Sequence, residues 1–183
     1  MKKVLNLTIC SILIAAVYGC NKKDKSGEQT NQTQTAQQES GKTSYVKKAT
    51  HFTLPDRTGG IIDLADYAGK PVMVVFFAEY CPFCRQAAPF IEKMHKTYKD
   101  KSFQTIGIAI EDEKEPAEAF ANYYKLTFPI AYKGGETSAR YGARGVPYLF
   151  VLNKSHEIVN MWAGYHNSFE PAIIKTIEEA IKG

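Results

Sequence analysis

The chain alternates short apolar runs with segments in which apolar residues recur every three or four positions. Val72–Phe77 is an unbroken apolar run of six residues and predicts a buried strand. Behind it Phe83, Ala87, Phe90, Ile91, Met94 and Tyr98 fall at helical spacing, which predicts an amphipathic helix from about Pro82 to Lys99. Pro89 lies inside that span, and its missing N–H and its clash with the preceding turn predict a kink. Phe103–Ile110 reads as a second buried strand and closes a strand–helix–strand unit. Upstream, Phe52–Leu54 and Ile61–Asp63 flank Pro55-Asp56-Arg57-Thr58-Gly59-Gly60, two short strands around a turn. Downstream the pattern gives a helix from about Glu113 to Lys125, a strand at Phe128–Tyr132 and a short helix around Glu136–Tyr141. Tyr148–Leu152 and Ile158–Trp162 read as a hairpin turned at Asn153-Lys154-Ser155-His156. Phe169, Ile173, Ile174, Ile177 and Ile181 mark a final amphipathic helix. The stretch 49–183 is long enough for one domain with its own core and shows no internal repeat.

The first residues follow a different pattern. Lys2 and Lys3 precede an apolar stretch from Val4 to Tyr18 that is interrupted by Asn6 and Thr8. A spanning helix needs about 20 apolar residues, so residues 1–19 read as a signal peptide to be excluded from the fold. Val17-Tyr18-Gly19-Cys20 resembles the bacterial lipobox, which implies cleavage before Cys20 and a lipid on its sulfur. From Asn21 to Lys48 the composition turns to Lys, Gln, Thr, Ser, Glu and Asn, with Ala36, Tyr45 and Val46 nearly the only apolar residues. Such a stretch buries too little surface to fold and reads as a flexible tether with a reach of roughly 30 Å. Residues 20–48 are therefore expected to hold a folded head to a membrane.

Charge follows the same division. The tether carries six lysines against Asp24, Glu28 and Glu39, whereas residues 49–183 hold fifteen basic and sixteen acidic side chains. The overall net charge of +4 thus belongs to the leader and tether, and the domain has no basic footprint for nucleic acid. Lys22, Lys23 and Lys25, next to Cys20, suit an anionic lipid surface.

Cysteine usage narrows the chemistry. Cys10 leaves with the signal and Cys20 takes the lipid, so Cys81 and Cys84 remain as the two thiols of the domain. They stand where the Val72–Phe77 strand meets the following helix. A cysteine there lies beside unpaired N–H groups and the positive end of the helix dipole, which favour thiolate over thiol. Cys81 is accordingly the expected nucleophile, and Cys84, one helical turn inside, the resolving thiol. The cofactor expectation is a redox-active Cys81–Cys84 disulfide alone, with no organic group and no metal.

Several stretches together resemble the thioredoxin superfamily, and within it the membrane-anchored TlpA/ResA branch. Phe77-Ala78-Glu79-Tyr80-Cys81-Pro82-Phe83-Cys84 is similar to the aromatic-Ala/Gly-x-aromatic-Cys-x-x-Cys pattern, and Pro89 falls where thioredoxins kink the following helix. Phe52-Thr53-Leu54-Pro55-Asp56 through Leu64, with Gly69-Lys70-Pro71-Val72, resembles leading strands shared with peroxiredoxins. Tyr141-Gly142-Ala143-Arg144-Gly145-Val146-Pro147 resembles the stretch that carries the superfamily's cis-proline. The resemblance implies a thioredoxin-like α/β fold: a central mixed β-sheet flanked by helices, with an N-terminal β-hairpin and a central helix–strand insertion over Glu113–Tyr132. It also implies a cis bond before Pro147, with Val146 offering backbone groups to substrate beside Cys81, and a substrate contact from Pro82 and Phe83.

The departures concern proton transfer. Thioredoxins carry a buried Asp where this chain has Val75, and ResA-like proteins often a Glu where it has Ala87. Glu111 and Asp112, after the Phe103 strand, are candidates to approach the same edge of the sheet, while Glu79 reads as a solvated acid at the rim. His95 reads as part of the polar face of its helix, since one Cys-x-x-Cys pair is a poor zinc site. Trp162 and the tyrosines read as packing and surface aromatics. His51, His156 and His166 have no sequence partner that assigns them chemistry.

The functional expectation is thiol–disulfide exchange outside the cytoplasmic membrane, in the periplasm or on the outer membrane face. The resemblance favours a reductant of disulfides in exported proteins, including apocytochrome c, with electrons from a membrane donor of the CcdA/DsbD type and a monomeric head. Three alternatives stand beside it: a disulfide-forming oxidase on the same fold, a peroxiredoxin-like peroxidase, and a non-catalytic surface binding lipoprotein. Against the peroxidase, peroxidatic cysteines follow a Thr-x-x-Cys pattern, and Ala78 occupies that threonine position.

Overall fold

A computed structural model describes residues 47–183. The signal peptide, Cys20 and the tether up to residue 46 lie outside the described residues. A leading hairpin of β1 (Thr53–Pro55) and β2 (Ile61–Asp63) is followed by a 3₁₀ turn at Leu64–Tyr67, capped by the Asp63 carboxylate, which accepts from the Ala65 N–H. Then come β3 (Val72–Phe77), α1 (Pro82–Tyr98), β4 (Gln104–Ala109), α2 (Lys114–Tyr124), β5 (Ile130–Ala131) and α3 (Gly135–Tyr141). A hairpin of β6 (Tyr148–Leu152) and β7 (Ile158–Ala163) leads to α4 (Glu170–Lys182).

The strands after the leading hairpin form one mixed sheet in the order β5-β4-β3-β6-β7. β3, β4 and β5 run parallel, and β6 and β7 are antiparallel to their neighbours. Period-two alternation sends β3 into two cores at once. Met73, Val75 and Phe77 meet α1, α2 and α4 on one face, whereas Val72, Val74 and Phe76 meet the leading hairpin and Tyr141 of α3 on the other. A strand buried on both faces needs an apolar residue at every position, which is why this one reads as a continuous run. Among the described residues no helix is long and apolar enough to cross a membrane.

Three details depart from the sequence pattern. α1 runs unbroken through Pro89. β5 is two residues long where five were expected, because Pro129 has no N–H for the ladder and only its carbonyl is engaged, by the Gly107 N–H at 2.9 Å. His95, expected on a polar face, is buried together with Glu92. The loop after α2 covers that side of α1: Phe128 packs edge-on against His95, and Thr127 gives its N–H and hydroxyl to the Glu92 carboxylate at 2.9 and 2.7 Å.

Candidate active site

β3 ends at Phe77 and delivers Ala78–Tyr80 as a turn, closed by the Cys81 N–H donating to the Ala78 carbonyl at 3.2 Å. Cys81 is the N-cap of α1, extended in backbone conformation, with Pro82 as the first helical residue, where a missing N–H leaves no bond unmade. Its Sγ accepts the Cys84 N–H at 3.1 Å, the position that a capping oxygen takes in an ordinary helix. Cys81 and Cys84 are joined as a disulfide. In the dithiol form the same N–H and the helix N-terminus stabilise a thiolate on Cys81.

The Val146–Pro147 bond is cis, and the Val146 carbonyl oxygen lies 3.3 Å from Cys81 Sγ although the two residues are 65 apart in sequence. That carbonyl can accept a proton-bearing thiol, so Cys81 stands between a donor that favours thiolate and an acceptor that favours thiol. Pro147 itself lines the small cavity against Cys84, along with Val75, Phe77, Ala87 and Phe128. Every residue lining that cavity is apolar, so the two positions where the resemblance placed acids bring no charge to it.

Charge is arranged instead around the turn before Cys81. The Arg85 guanidinium donates to the Glu79 carbonyl at 3.1 Å and to its carboxylate at 3.0 Å, and Glu79 is half exposed at the rim. The Glu79 N–H donates to Glu111 Oε1 at 2.7 Å. Glu111 thus reaches the site from the end of β4, as its place after the Phe103 strand suggested, and it does so by tying the turn down. Its Oε2 is buried with no partner among the described residues. Asp112 makes no such contact among the described residues. The outer rim is apolar: Tyr80 and Phe83, on either side of Cys81, are 66% and 56% exposed. Beyond the Glu79–Arg85 pair an open depression is lined by Ala119, Phe120, Tyr123 and Tyr124 of α2.

The remaining residues singled out in the sequence are structural. Trp162 is buried in the core of α1 and α4. His51 pairs with Asp63 at 2.7 Å, and Asp63 is held below the ordinary carboxylate range by the Ala65 N–H and then by the Thr53 hydroxyl. His156 contacts the Tyr67 carbonyl at 3.1 Å, and His166 caps the turn at Ser168. Sequence reasoning had no means of finding Arg85 or of knowing that Glu111 engages Glu79, since neither contact follows from a local pattern.

A strand that delivers a disulfide to a helix N-terminus opposite a cis-proline is the geometry of the site; comparison with known proteins gives its family. The model of the AhpC/TSA family matches residues 46–161. The chain belongs to that family. Among its relatives, thiol-disulfide oxidoreductase ResA of Halalkalibacterium halodurans is 32% identical over 119 residues, 64% of this chain and 68% of that protein. Thioredoxin-like protein YneN of Bacillus subtilis is 31% identical over 121 residues, 64% of this chain and 71% of that one. Of solved structures, a putative thiol:disulfide interchange protein DsbE from Chlorobium tepidum superposes with a TM-score of 0.70 at 28% identity, covering 74% of this chain and 96% of that one. A putative protein disulfide isomerase from Bacteroides thetaiotaomicron gives the same TM-score at 29% identity, covering 75% and 89%. Within the AhpC/TSA family the protein is TlpA/ResA-like, has the thioredoxin-like fold, and is an enzyme, a thiol–disulfide oxidoreductase.

Proposed function

We propose that this oxidoreductase works outside the cytoplasmic membrane, held there by a lipid on Cys20, and reduces disulfides in exported proteins, those of apocytochrome c among them. The observation that carries the reading is the pairing of Cys81 at the helix N-terminus, its sulfur held by the Cys84 N–H, with a Cys84 enclosed by apolar side chains. Cys81 thiolate attacks one sulfur of a substrate disulfide, forming a mixed disulfide and releasing the other substrate sulfur as thiolate. Cys84, deprotonated in the step, attacks Cys81 Sγ, closes the Cys81–Cys84 disulfide and releases the second substrate thiolate. Two electrons and two protons pass to the substrate. A membrane dithiol donor of the CcdA/DsbD type restores the pair by the same exchange in reverse.

The apolar rim of Tyr80 and Phe83, with the Val146 backbone beside Cys81, supports an extended polypeptide as substrate. A peroxidase is less well supported, because Ala78 brings no hydroxyl three residues before Cys81. The test is the equilibrium reduction potential of the Cys81–Cys84 couple. A value at or below about −230 mV supports a reductant, and one more oxidising than about −150 mV, toward the range of strong oxidants near −120 mV, overturns it in favour of disulfide formation. Replacing Cys84 with serine should leave Cys81 trapped as a mixed disulfide with its substrate, whereas a binding protein with an inert disulfide would trap nothing.

A further inference from the structure

On the side of the sheet away from α1, a groove of about 420 Å³ runs along β6 and β7, lined by Tyr141, Tyr148, Phe150, Ile158 and Met161, with Lys47 also in its wall. Val159 and Met161 on β7 are 44% and 54% exposed. β7 has β6 on one side and, among the described residues, no strand along the other beyond an isolated bridge at its start. That bridge is antiparallel, between Lys48 and Glu157; the Ile158 N–H donates to the Lys47 carbonyl at 2.9 Å and the Ala49 N–H to the His156 carbonyl at 2.8 Å. Further along, the Met161 amide donates to the side-chain Oδ1 of its own neighbour Asn160, at 2.8 Å, rather than to a strand. An edge of this kind is a template for one more chain segment.

We propose that Thr43–Val46 continues the pairing begun at Lys47, lying along β7 as an added antiparallel strand with the Tyr45 ring in the groove. Side chains alternate along a strand, so residue 45 shares the face of Lys47, and Lys47 already lines the groove. The register irregularity between Val151 and Leu152 pairs Ile158 with Leu152 and Met161 with Phe150, which puts Ile158 and Met161 on one face although three residues separate them. Tyr45 therefore meets Met161 and Phe150, while Val46 takes the opposite face. The composition agrees: Thr43, Tyr45 and Val46 favour strand, and Tyr45 and Val46 are the apolar residues of an otherwise polar stretch.

Direction gives this strand a consequence. Running back from Lys47, the segment heads toward Ala163 and Gly164, and the Gly164 N–H donates to the Pro147 carbonyl at 2.8 Å. The tether would then start at the end of the sheet that carries Pro147 and Cys81 rather than at the opposite end. That consequence rests on the lipid-anchor reading above; the added strand does not.

The test is hydrogen–deuterium exchange of the full chain, read by mass spectrometry on peptides covering residues 43–47 and 159–163. In the parent chain both peptides should exchange about tenfold more slowly than in Tyr45→Ser, the factor expected from one cross-strand aromatic contact and its edge hydrogen bond. Tyr45→Phe should restore the protection, Met161→Ser should abolish it as Tyr45→Ser does, and reduction of a soluble disulfide should be the same in all three. Fast exchange at 43–47 in the parent chain, or a Tyr45→Ser substitution that leaves residues 159–163 unchanged, would overturn the proposal. So would protection that grows with protein concentration, which would assign the edge to a second copy.

Discussion

Glu92 is a buried carboxylate that joins the helix carrying Cys84 to the loop flooring the cavity beneath it, and replacing it with alanine exposes how much that joint contributes. The carboxylate accepts the Thr127 N–H at 2.9 Å and the Thr127 hydroxyl at 2.7 Å, and pairs with Lys96 at 3.0 Å. Hydrogen bonds to a charged group contribute about 1.5–3 kcal/mol each, and an ion pair with a half-exposed lysine under about 1 kcal/mol. Against these stand the desolvation of the carboxylate and the higher helix propensity of alanine, and Thr127, near the surface, can take water in exchange. The net expectation for Glu92→Ala is a loss of about 2 kcal/mol, or roughly 6–8 °C in Tm for a domain of this size. The pH dependence is a second constraint. Burial pushes the Glu92 carboxyl up, but the two Thr127 bonds and Lys96 outweigh it and hold the group below its ordinary value of 4.5. A depressed folded pKa gives stability that is present above the unfolded value and lost as pH falls through the folded one. The gap between parent and Glu92→Ala should therefore be full at pH 7 and close in acid below about pH 4. Urea unfolding of both chains at pH 7 and across the acid range measures this, with unchanged m-values showing that the denatured state is the same. A gap under about 0.5 kcal/mol at pH 7, or one that widens in acid, would refute the reasoning.

Three further outcomes are expected. Burial pushes the His95 imidazole below its ordinary value of 6.5 despite Glu92 nearby, so the folded state loses stability as pH falls below that value, and His95→Leu should flatten this part of the pH profile in thermal melts. A Cβ on Gly134 would sit 2.3 Å from Ile108 Cγ2 and 2.8 Å from the Ala109 carbonyl oxygen, so Gly134→Ala should destabilise by about 2 kcal/mol or more in urea unfolding. Gly60→Ala meets nothing closer than 4.0 Å and should be neutral or slightly stabilising in the same assay. The Tyr141 hydroxyl is buried with no partner among the described residues, and Tyr141→Phe should leave stability unchanged or raise it by up to about 1 kcal/mol in urea unfolding.

What the sequence by itself determined is what depends on neighbours along the chain. The apolar run of β3, the three-and-four spacing of α1 and α4, and a thiol at the junction of strand and helix are local patterns, because the period of burial follows from the geometry of a single element. A segment whose local preference meets a chemical exception reads less well: β5 shrank because Pro129 has no N–H for the ladder. What only the tertiary structure decided is what one segment does to another far away. His95 and Glu92 lie on a helix whose pattern gives them to solvent, and they are buried because Thr127 and Phe128, some thirty-five residues on, fold over them. The Val146 carbonyl reaches Cys81 across 65 residues, and Glu111 ties the turn before Cys81 across 32. Such contacts are set by the packing of the whole sheet, and no window of the sequence contains both partners.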